Sequence, residues 1–282
     1  MRGRDAPPHV RSLTRRLDNL ASARSVAPLQ LRNAVAGVVL AQMLPPGAVK
    51  GGAAVVLRVG VRRSRFTRDV DASRAADTSI EDYLDQLESN LAAGWSGFTG
   101  RVVPGTPRGP LGVPEDYVMR PVAVKLAYRD ASWLTTELEI GHDEIGSTAS
   151  AVVRLPDDLL EAFAVVGLPA PQPVAVLAVE HQMAQKLHAC AAHSDGTPST
   201  RPHDLVDLQI LAAADPPDLA ELASTGRRLF ASRHTKAWPP NVIPAANWPT
   251  LYAAAAEDLD VQPDLDAALR WTVLLIDNLP DI

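Results

Sequence analysis

The sequence predicts an α/β (α+β) protein of two lobes: a mixed α/β domain over residues 1–150 and an all-helical domain over residues 151–282. Three observations predict this class. Before residue 150, short strand-like runs alternate with segments of helical apolar spacing. After it, the helical spacing continues to the end of the chain. Residues 169–173 form a proline-rich stretch, which is typical of an extended linker.

Composition limits the class of protein. The chain has 282 residues, of which 46% are hydrophobic and 21% are charged, as in ordinary globular domains. We find no run of about 18 uncharged apolar residues that would cross a membrane, and no signal-peptide core. Cys190 is the single cysteine, which excludes an internal disulfide and a cysteine-cluster zinc site. We therefore expect a cytoplasmic protein without a membrane partner.

The predicted elements of the first domain follow from periodicity and from end signals. Pro45-Pro46-Gly47 ends the first helical region, a glycine pair opens a short helix, and Ser79 with Asp82 forms a capping box for another helix. Residues 129–131 are the expected turn of a hairpin. The predicted helices cover residues 10–43, 51–59 and 80–93, and the predicted strands 48–50, 69–72, 98–103, 117–128 and 133–140.

The second part of the chain contains only helical signals. Pro156-Asp157-Asp158 is typical of a helix start, because acidic residues in the first turn complement the helix dipole. The predicted helices cover residues 156–163, 175–192, 203–214, 217–232, 247–258 and 264–278.

The charges are distributed unevenly. Residues 1–74 contain 14 Lys and Arg against 4 Asp and Glu, whereas residues 75–282 contain 13 against 29. A basic segment attracts a polyanionic substrate. The alternative is that its arginines only line the solvated face of a helix, and the sequence leaves both readings open. The arginines concerned are Arg11, Arg15, Arg16 and Arg24.

The segment Lys50-Gly51-Gly52, followed by Asp69 and Asp71, carries the first chemical signal. Free N–H groups at a helix start preceded by glycine favour phosphate. Asp69 and Asp71 lie two apart on a predicted strand, so both side chains point to one face. Two carboxylates on one face repel each other unless cations hold them. The pattern predicts metal-dependent handling of a nucleoside triphosphate.

A third carboxylate is expected from the strand around residue 137. If Leu138 and Ile140 face the core, Glu137 and Glu139 point together to the polar face. Carboxylate and phosphate oxygens suit Mg²⁺, and two such ions can clamp the attacking and leaving oxygens of a displacement. An Asp-x-Asp pair without further context is more often a pair of exposed carboxylates than a metal site. Here the glycine pair upstream and the acidic strand downstream favour the metal site.

A second polar cluster occurs in the helical part. Lys186 lies among Leu187, Met183 and Cys190, so its stem is expected to be buried and to need an anionic partner. Asp204 or a triphosphate would serve. The sequence does not decide between a salt bridge that joins two helices and a substrate contact. We assign no metal to the histidines, since His181 and His188 share a helical face without a third ligand.

In combination these segments resemble the AbiEii/AbiGii nucleotidyltransferase toxins of the DNA polymerase β-like superfamily. The resemblance covers roughly residues 45–210. It departs from the usual pattern at three positions: Gly52 stands where Ser is frequent, Glu139 where Asp is common, and His203 where Lys or Arg is usual. It is carried by Lys50-Gly51-Gly52, residues 58–60, 66–71, 120–128, Glu139, 180–189 and 201–208.

The resemblance implies a polymerase β-like fold and roles for individual residues. Asp69, Asp71 and Glu139 would bind Mg²⁺, and Gly51, Gly52 and Thr67 would hold the nucleoside triphosphate. Lys186 would neutralise triphosphate charge, and Asp204 would orient Lys186 or the incoming substrate.

The resemblance also implies the toxin of a bacterial toxin–antitoxin pair, with a cognate antitoxin as partner. Similar mycobacterial toxins add nucleotides to the 3′ end of tRNA, at the acceptor stem, and thereby block translation. DNA is not an expected partner. Two alternatives remain: a nucleotidyltransferase acting on a small molecule or a protein side chain, and a non-catalytic module that binds RNA or an antitoxin.

Overall fold

The computed structural model describes residues 5–106, 118–146 and 150–280. The chain forms two compact units: the first comprises residues up to Arg62 together with Phe66–Val176, and the second comprises Arg63–Arg65 together with the residues from Leu177 onward. The units thus divide after Val176, whereas the sequence placed a domain boundary after residue 150. Two further strands after that residue extend the sheet of the first unit.

The first unit contains five α-helices and seven strands within the described residues. The helices are α1 (Val10–Ala23), α2 (Pro28–Ala41), α3 (Gly51–Val59), α4 (Ile80–Ala93) and α5 (Asp157–Val166). The strands are β1 (Gly47–Lys50), β2 (Asp69–Arg74), β3 (Phe98–Pro104), β4 (Arg120–Tyr128), β5 (Ala131–Gly141), β6 (Ser150–Val153) and β7 (Val174–Leu177).

The strands form one mixed sheet in the order β3-β4-β5-β2-β1-β7-β6. β2 lies beside β5 in parallel and beside β1 in antiparallel orientation. The mixed α/β class expected from the sequence is confirmed. The hairpin of β4 and β5 is also confirmed, and it turns at Arg129 and Asp130, both with positive φ. Positive φ at both central residues is the backbone that tight hairpins favour.

The prediction of a helix starting at residue 175 was wrong at its N-terminal end. Val174–Leu177 is strand β7, which pairs with β1 through Val176 and Val49. A short apolar run cannot be assigned to strand or helix by periodicity alone, and here pairing with a neighbouring strand decides. β6 was also missed. The predicted starts of α3 and α4 are confirmed, and the Ser79 side chain accepts from the Asp82 N–H as expected.

Arg16 of α1 and Arg24, the residue that caps its C-terminus, contribute to the packing of the first unit. Arg16 donates to the carbonyl oxygen of Val166 at the end of α5, and Arg24 donates to the carbonyl oxygen of Asp158 and the carboxylate of Glu161. The sequence left open whether these arginines attract a polyanion or line a solvated helix face, and it indicated neither of these contacts. Arg11 and Arg15, on the same helix, are exposed.

The second unit is helical among its described residues, as the sequence predicted. It contains α6 (Val179–Cys190), α7 (His203–Ala214), α8 (Leu219–Arg233), α9 (Trp248–Ala256) and α10 (Leu265–Asp277). Across the described ranges, no helix combines the length and apolar character that crossing a bilayer requires.

Candidate active site

The predicted acidic residues lie side by side on one face of the sheet. Asp71 on β2 is paired with Glu139 on β5, and Asp69 with Glu137. Paired residues of neighbouring strands present their side chains on the same face, and the strands lie about 4.8 Å apart. The residues between them, such as Val70 and Leu138, are buried in the core. The expected alternation, with Leu138 and Ile140 inward and the acids on the opposite face, is confirmed.

Lys50 extends this row of acidic residues on the other side of β2. It is paired with Asp71 across β1 and β2, and its Nζ lies 3.5 Å from the Met119 sulfur. A Cβ added to Gly141 on β5 would lie 2.7 Å from Nζ, so the ammonium reaches across β2 to that strand. Lys50 belongs to the glycine motif, but its spacing in the sequence does not indicate a place beside the acids. That place follows from the pairing of β1 with β2, which sequence spacing does not reveal.

Gly51 is required where the row of acids meets the start of α3. Its φ is +64°, a backbone that L-residues with a Cβ rarely adopt, and an added Cβ would overlap the Asp71 carboxylate. The carboxylate therefore packs directly on the backbone of residue 51. The side chain of the N-cap residue Lys50 does not cap α3, and the N-terminus of a helix favours an anion.

Thr67 lies next to the first acid. Its Oγ1 donates a 2.8 Å hydrogen bond to Asp69 Oδ1. The structure therefore links Thr67 to the row of acids, whereas the resemblance assigned Thr67 to the triphosphate. The hydrogen bond orients a carboxylate that is otherwise exposed to solvent.

The donor chemistry of this row fits Mg²⁺, although no group of three or more His, Cys, Asp or Glu side chains converges as a metal site within the described residues. Asp69 turns to Thr67, and Asp71 lies against Gly51. Asp71 and Glu139, however, are paired residues of adjacent strands. Their carboxylate oxygens are hard ligands of the kind that Mg²⁺ prefers.

The second unit holds a buried network of charged side chains. The Lys186 ammonium of α6 lies 2.7 Å from Asp204 Oδ1 and 2.6 Å from Asp207 Oδ2. Arg65 binds Asp207 through two hydrogen bonds of 2.8 and 2.9 Å. Arg201 donates to the other oxygen of Asp204 at 2.7 Å. Both aspartates have no exposed surface, and Lys186 is 4% exposed.

The network favours the charged forms of Lys186 and Asp204. Burial by itself would lower the pKa of Lys186, but the charges of Asp207 and Asp204 outweigh it and raise the pKa above its usual value. Burial opposes ionisation of Asp204, yet Lys186 and Arg201 hold its pKa well below the usual range. The pKa of His203 is lowered, mainly by burial, so this histidine favours its neutral form.

The sequence anticipated part of this network. A Lys186–Asp204 ion pair was the structural alternative to a substrate contact, and the pair is present. Asp207 and Arg65 were missed as site residues. Asp204 and Asp207 lie three apart on α7, which places them on one helical face, so Asp207 could have been found. Arg65 comes from a distant part of the chain, and no local pattern points to its contact.

Comparisons with known proteins identify the family and a similar fold. A family model described as nucleotidyl transferase AbiEii toxin, type IV toxin–antitoxin system, matches residues 36–274. No curated protein sequence matches the chain. Among solved structures, the fold is similar to that of MenT4, a nucleotidyltransferase toxin of Mycobacterium tuberculosis H37Rv. The two are 15% identical with a TM-score of 0.53, and the match covers 95% of this chain and 99% of MenT4.

We predict that Gly51→Ala destabilises the first unit by at least about 1–2 kcal/mol, because a Cβ is strained at this φ and displaces the Asp71 carboxylate. The matched control is Gly52→Ala, since Gly52 has no positive φ and alanine favours a helix. Urea denaturation followed by circular dichroism measures both. Equal stability of the two variants would contradict the account of Gly51.

We expect Lys186→Met to destabilise the second unit by about 3 kcal/mol, because two buried carboxylates lose a shared cation. Lys125→Met, at an exposed position on β4, is the control and should change the free energy of unfolding by less than about 0.5 kcal/mol. Thermal or urea unfolding of both variants is the measurement. A loss for Lys186→Met no larger than that of the control would be inconsistent with a buried ion network.

Proposed function

The chain belongs to the AbiEii nucleotidyltransferase toxin family of type IV toxin–antitoxin systems, and we propose that it transfers a nucleoside monophosphate from a nucleoside triphosphate to the 3′ end of tRNA. The observation that carries the proposal is the paired row of Asp71 and Glu139 beside the glycine-opened start of α3. It combines carboxylates for cations with N–H donors for phosphate, which is what phosphoryl transfer requires.

Asp69, Asp71 and Glu139 are the residues that would hold Mg²⁺. Bound Mg²⁺ supplies charge neutralisation for the phosphates and lowers the cost of ionising the attacking hydroxyl. The first N–H groups of α3, at Gly51 and Gly52, would bind phosphate oxygens. Thr67 holds the Asp69 carboxylate in orientation through its 2.8 Å hydrogen bond. These residues supply positioning and charge, and little covalent chemistry is required of the protein.

In the proposed step, a ribose hydroxyl at the 3′ end of the RNA attacks the α-phosphorus of the nucleotide. The new bond joins the ribose oxygen to that phosphorus, and the bond to pyrophosphate breaks. A carboxylate of the acidic row accepts the hydroxyl proton and passes it to water. We assign Lys186 to the negative charge of the triphosphate and Asp204 to the orientation of Lys186, which is supported by their 2.7 Å contact.

The acceptor is proposed from the basic character of the N-terminal segment. Exposed arginines in this segment would contact the phosphates of an acceptor stem. They are Arg11, Arg15, Arg62, Arg63 and Arg68. Arg16 and Arg24 bind α5 within the protein, so the surface available to RNA is smaller than the charge count implied. A small molecule or a protein side chain is the alternative acceptor that this reduction favours.

The family membership implies an antitoxin partner, and we propose that the antitoxin is encoded beside this gene. Because the proposed substrate is tRNA, we expect the reaction to occur in the cytoplasm. The proposed reaction does not require DNA as a partner. A non-catalytic role would require that the paired carboxylates have no chemical function.

The proposal is tested by incubating the protein with total tRNA and each labelled nucleoside triphosphate, with Mg²⁺ or with a chelator. We expect label at the RNA 3′ end with Mg²⁺ only, and a loss of at least about 100-fold for Asp71→Asn and Asp69→Asn. Asp130→Asn, at the exposed β4–β5 turn, is the control, because asparagine tolerates the positive φ of that position.

Each other outcome has a defined meaning. The absence of labelled RNA with the wild-type protein would refute transfer to tRNA. Label in a small molecule or in protein would favour the alternative acceptor. Toxicity that survives loss of Asp69 and Asp71 would favour the non-catalytic module.

A further inference from the structure

We propose that the outer face of helix α10 is a docking surface for a second copy of this chain, with the two helices packed antiparallel. The face consists of four exposed residues: Arg270, Val273, Leu274 and Asp277. It belongs to the second unit and contains none of the proposed catalytic residues. Self-association through this face is independent of the proposed nucleotide transfer.

Helix α10 has one buried and one exposed face. It packs against α7 and α9, and its buried residues, Leu265, Ala268 and Thr272, recur at the spacing of one helix face. On the opposite face Val273 is 50% exposed and Leu274 is 62% exposed. They are the one pair of sequence neighbours among the large hydrophobic side chains that are exposed in the described residues. An apolar centre on an otherwise polar face is typical of an interaction surface.

Two opposite charges flank this apolar pair symmetrically. Arg270 lies three residues before Val273, and Asp277 lies three residues after Leu274. These spacings place the four side chains on one face of the helix. Within the part of the chain that the structure describes, neither the Arg270 nor the Asp277 side chain has a hydrogen bond or an ion pair. Both charges therefore remain available to a partner.

The symmetry of the face makes it complementary to itself. A twofold axis through the midpoint of Val273 and Leu274 exchanges the position of Arg270 with that of Asp277. In an antiparallel pair, each arginine then lies opposite the aspartate of the second copy, and the apolar pairs meet at the axis. A parallel pair would place like charges beside each other, which is unfavourable. The charge pattern therefore selects the antiparallel arrangement.

The position of Asp277 supplies a second argument for a partner. It is the last residue of α10, and the last turn of this helix contains no basic residue. A carboxylate at the C-terminus of a helix is repelled by the helix dipole. The arginine of a second copy would offset this repulsion, and no described residue of the same copy does so.

We expect the dimer to be weak. A contact between two single helices buries less surface than the roughly 1,200–2,000 Å² of a stable interface. Exposed ion pairs add little to affinity, and association costs translational and rotational freedom. The dimer should therefore form over a range of about 10–500 μM and dissociate on dilution.

Sedimentation of the full chain over this concentration range tests the association. We expect the mean mass to rise from the 30.1 kDa of one chain towards twice that value. Leu274→Glu should weaken the dimer at least about tenfold, because a charge replaces the apolar centre. Lys125→Glu, at an exposed position on β4, is the control and should leave the dissociation constant within about twofold of wild type.

Charge reversal tests the pairing of the two ends of the face. Arg270→Glu and Asp277→Arg should each weaken the dimer at least about threefold, because each places like charges opposite each other at two symmetric positions. The double variant restores opposite charges across the axis. Its dissociation constant should return to within about twofold of wild type, whereas two unrelated surface effects would add.

A single introduced cysteine tests the antiparallel orientation. The natural Cys190 is buried, so Val273→Cys supplies the one accessible thiol, close to the twofold axis. Asp266→Cys, also at an exposed position of α10, is the control. In an antiparallel pair its two copies lie about 22 Å apart along the helix axis, too far for a disulfide. On oxidation, Val273→Cys should form the covalent dimer at least about tenfold faster than Asp266→Cys.

Three results would overturn the proposal. One is a chain that stays monomeric over the whole concentration range, even if an antitoxin binds the α10 face. Another is a dimer that Leu274→Glu leaves unchanged or that the double charge reversal does not restore. Equal oxidation rates of the two cysteine variants would contradict the antiparallel pair. Circular dichroism of each variant separates a lost contact from a lost fold, and the charge reversals decide the matter if Leu274→Glu does not fold.

Discussion

The pairing of β2 with β5 and β1 is the constraint on which the candidate site depends. It places Lys50, Asp71 and Glu139 in one line across three strands. Like charges in such a line repel unless cations separate them, and Lys50 already lies among them. The close approach of Asp71 to Gly51 then joins this line to the start of α3, so the proposed cation ligands lie beside the proposed phosphate site.

The charged network around Lys186 differs from the acidic row in its exposure to solvent. The acidic row is half-exposed and can rearrange around a ligand, whereas the Lys186 network is buried and internally satisfied. Three cations and two carboxylates hold one another in fixed positions. Preorganised charges need no rearrangement when a ligand binds.

The sequence predicted the mixed class, most element bounds and the acidic row, because these depend on local signals. Alternation along β5 determined which face carries Glu139, and a capping box located α4. The strand β7 and the Asp207–Arg65 contact could not be predicted in this way. Both depend on partners distant in the chain, Val49 for the strand and residue 65 for the carboxylate. The contacts of Arg16 and Arg24 with α5 were not predicted for the same reason, since their partners are distant in the chain.

The most direct test of the account is a crystal structure of the protein with Mg²⁺ and a non-hydrolysable nucleoside triphosphate. The account predicts electron density for Mg²⁺ bound by Asp71 and Glu139 carboxylate oxygens, with a phosphate at the first N–H groups of α3. Asp69 should turn towards the same ion. A nucleotide bound elsewhere, or Mg²⁺ held without either Asp71 or Glu139, would contradict the central claim that the paired row of β2 and β5 is the catalytic centre.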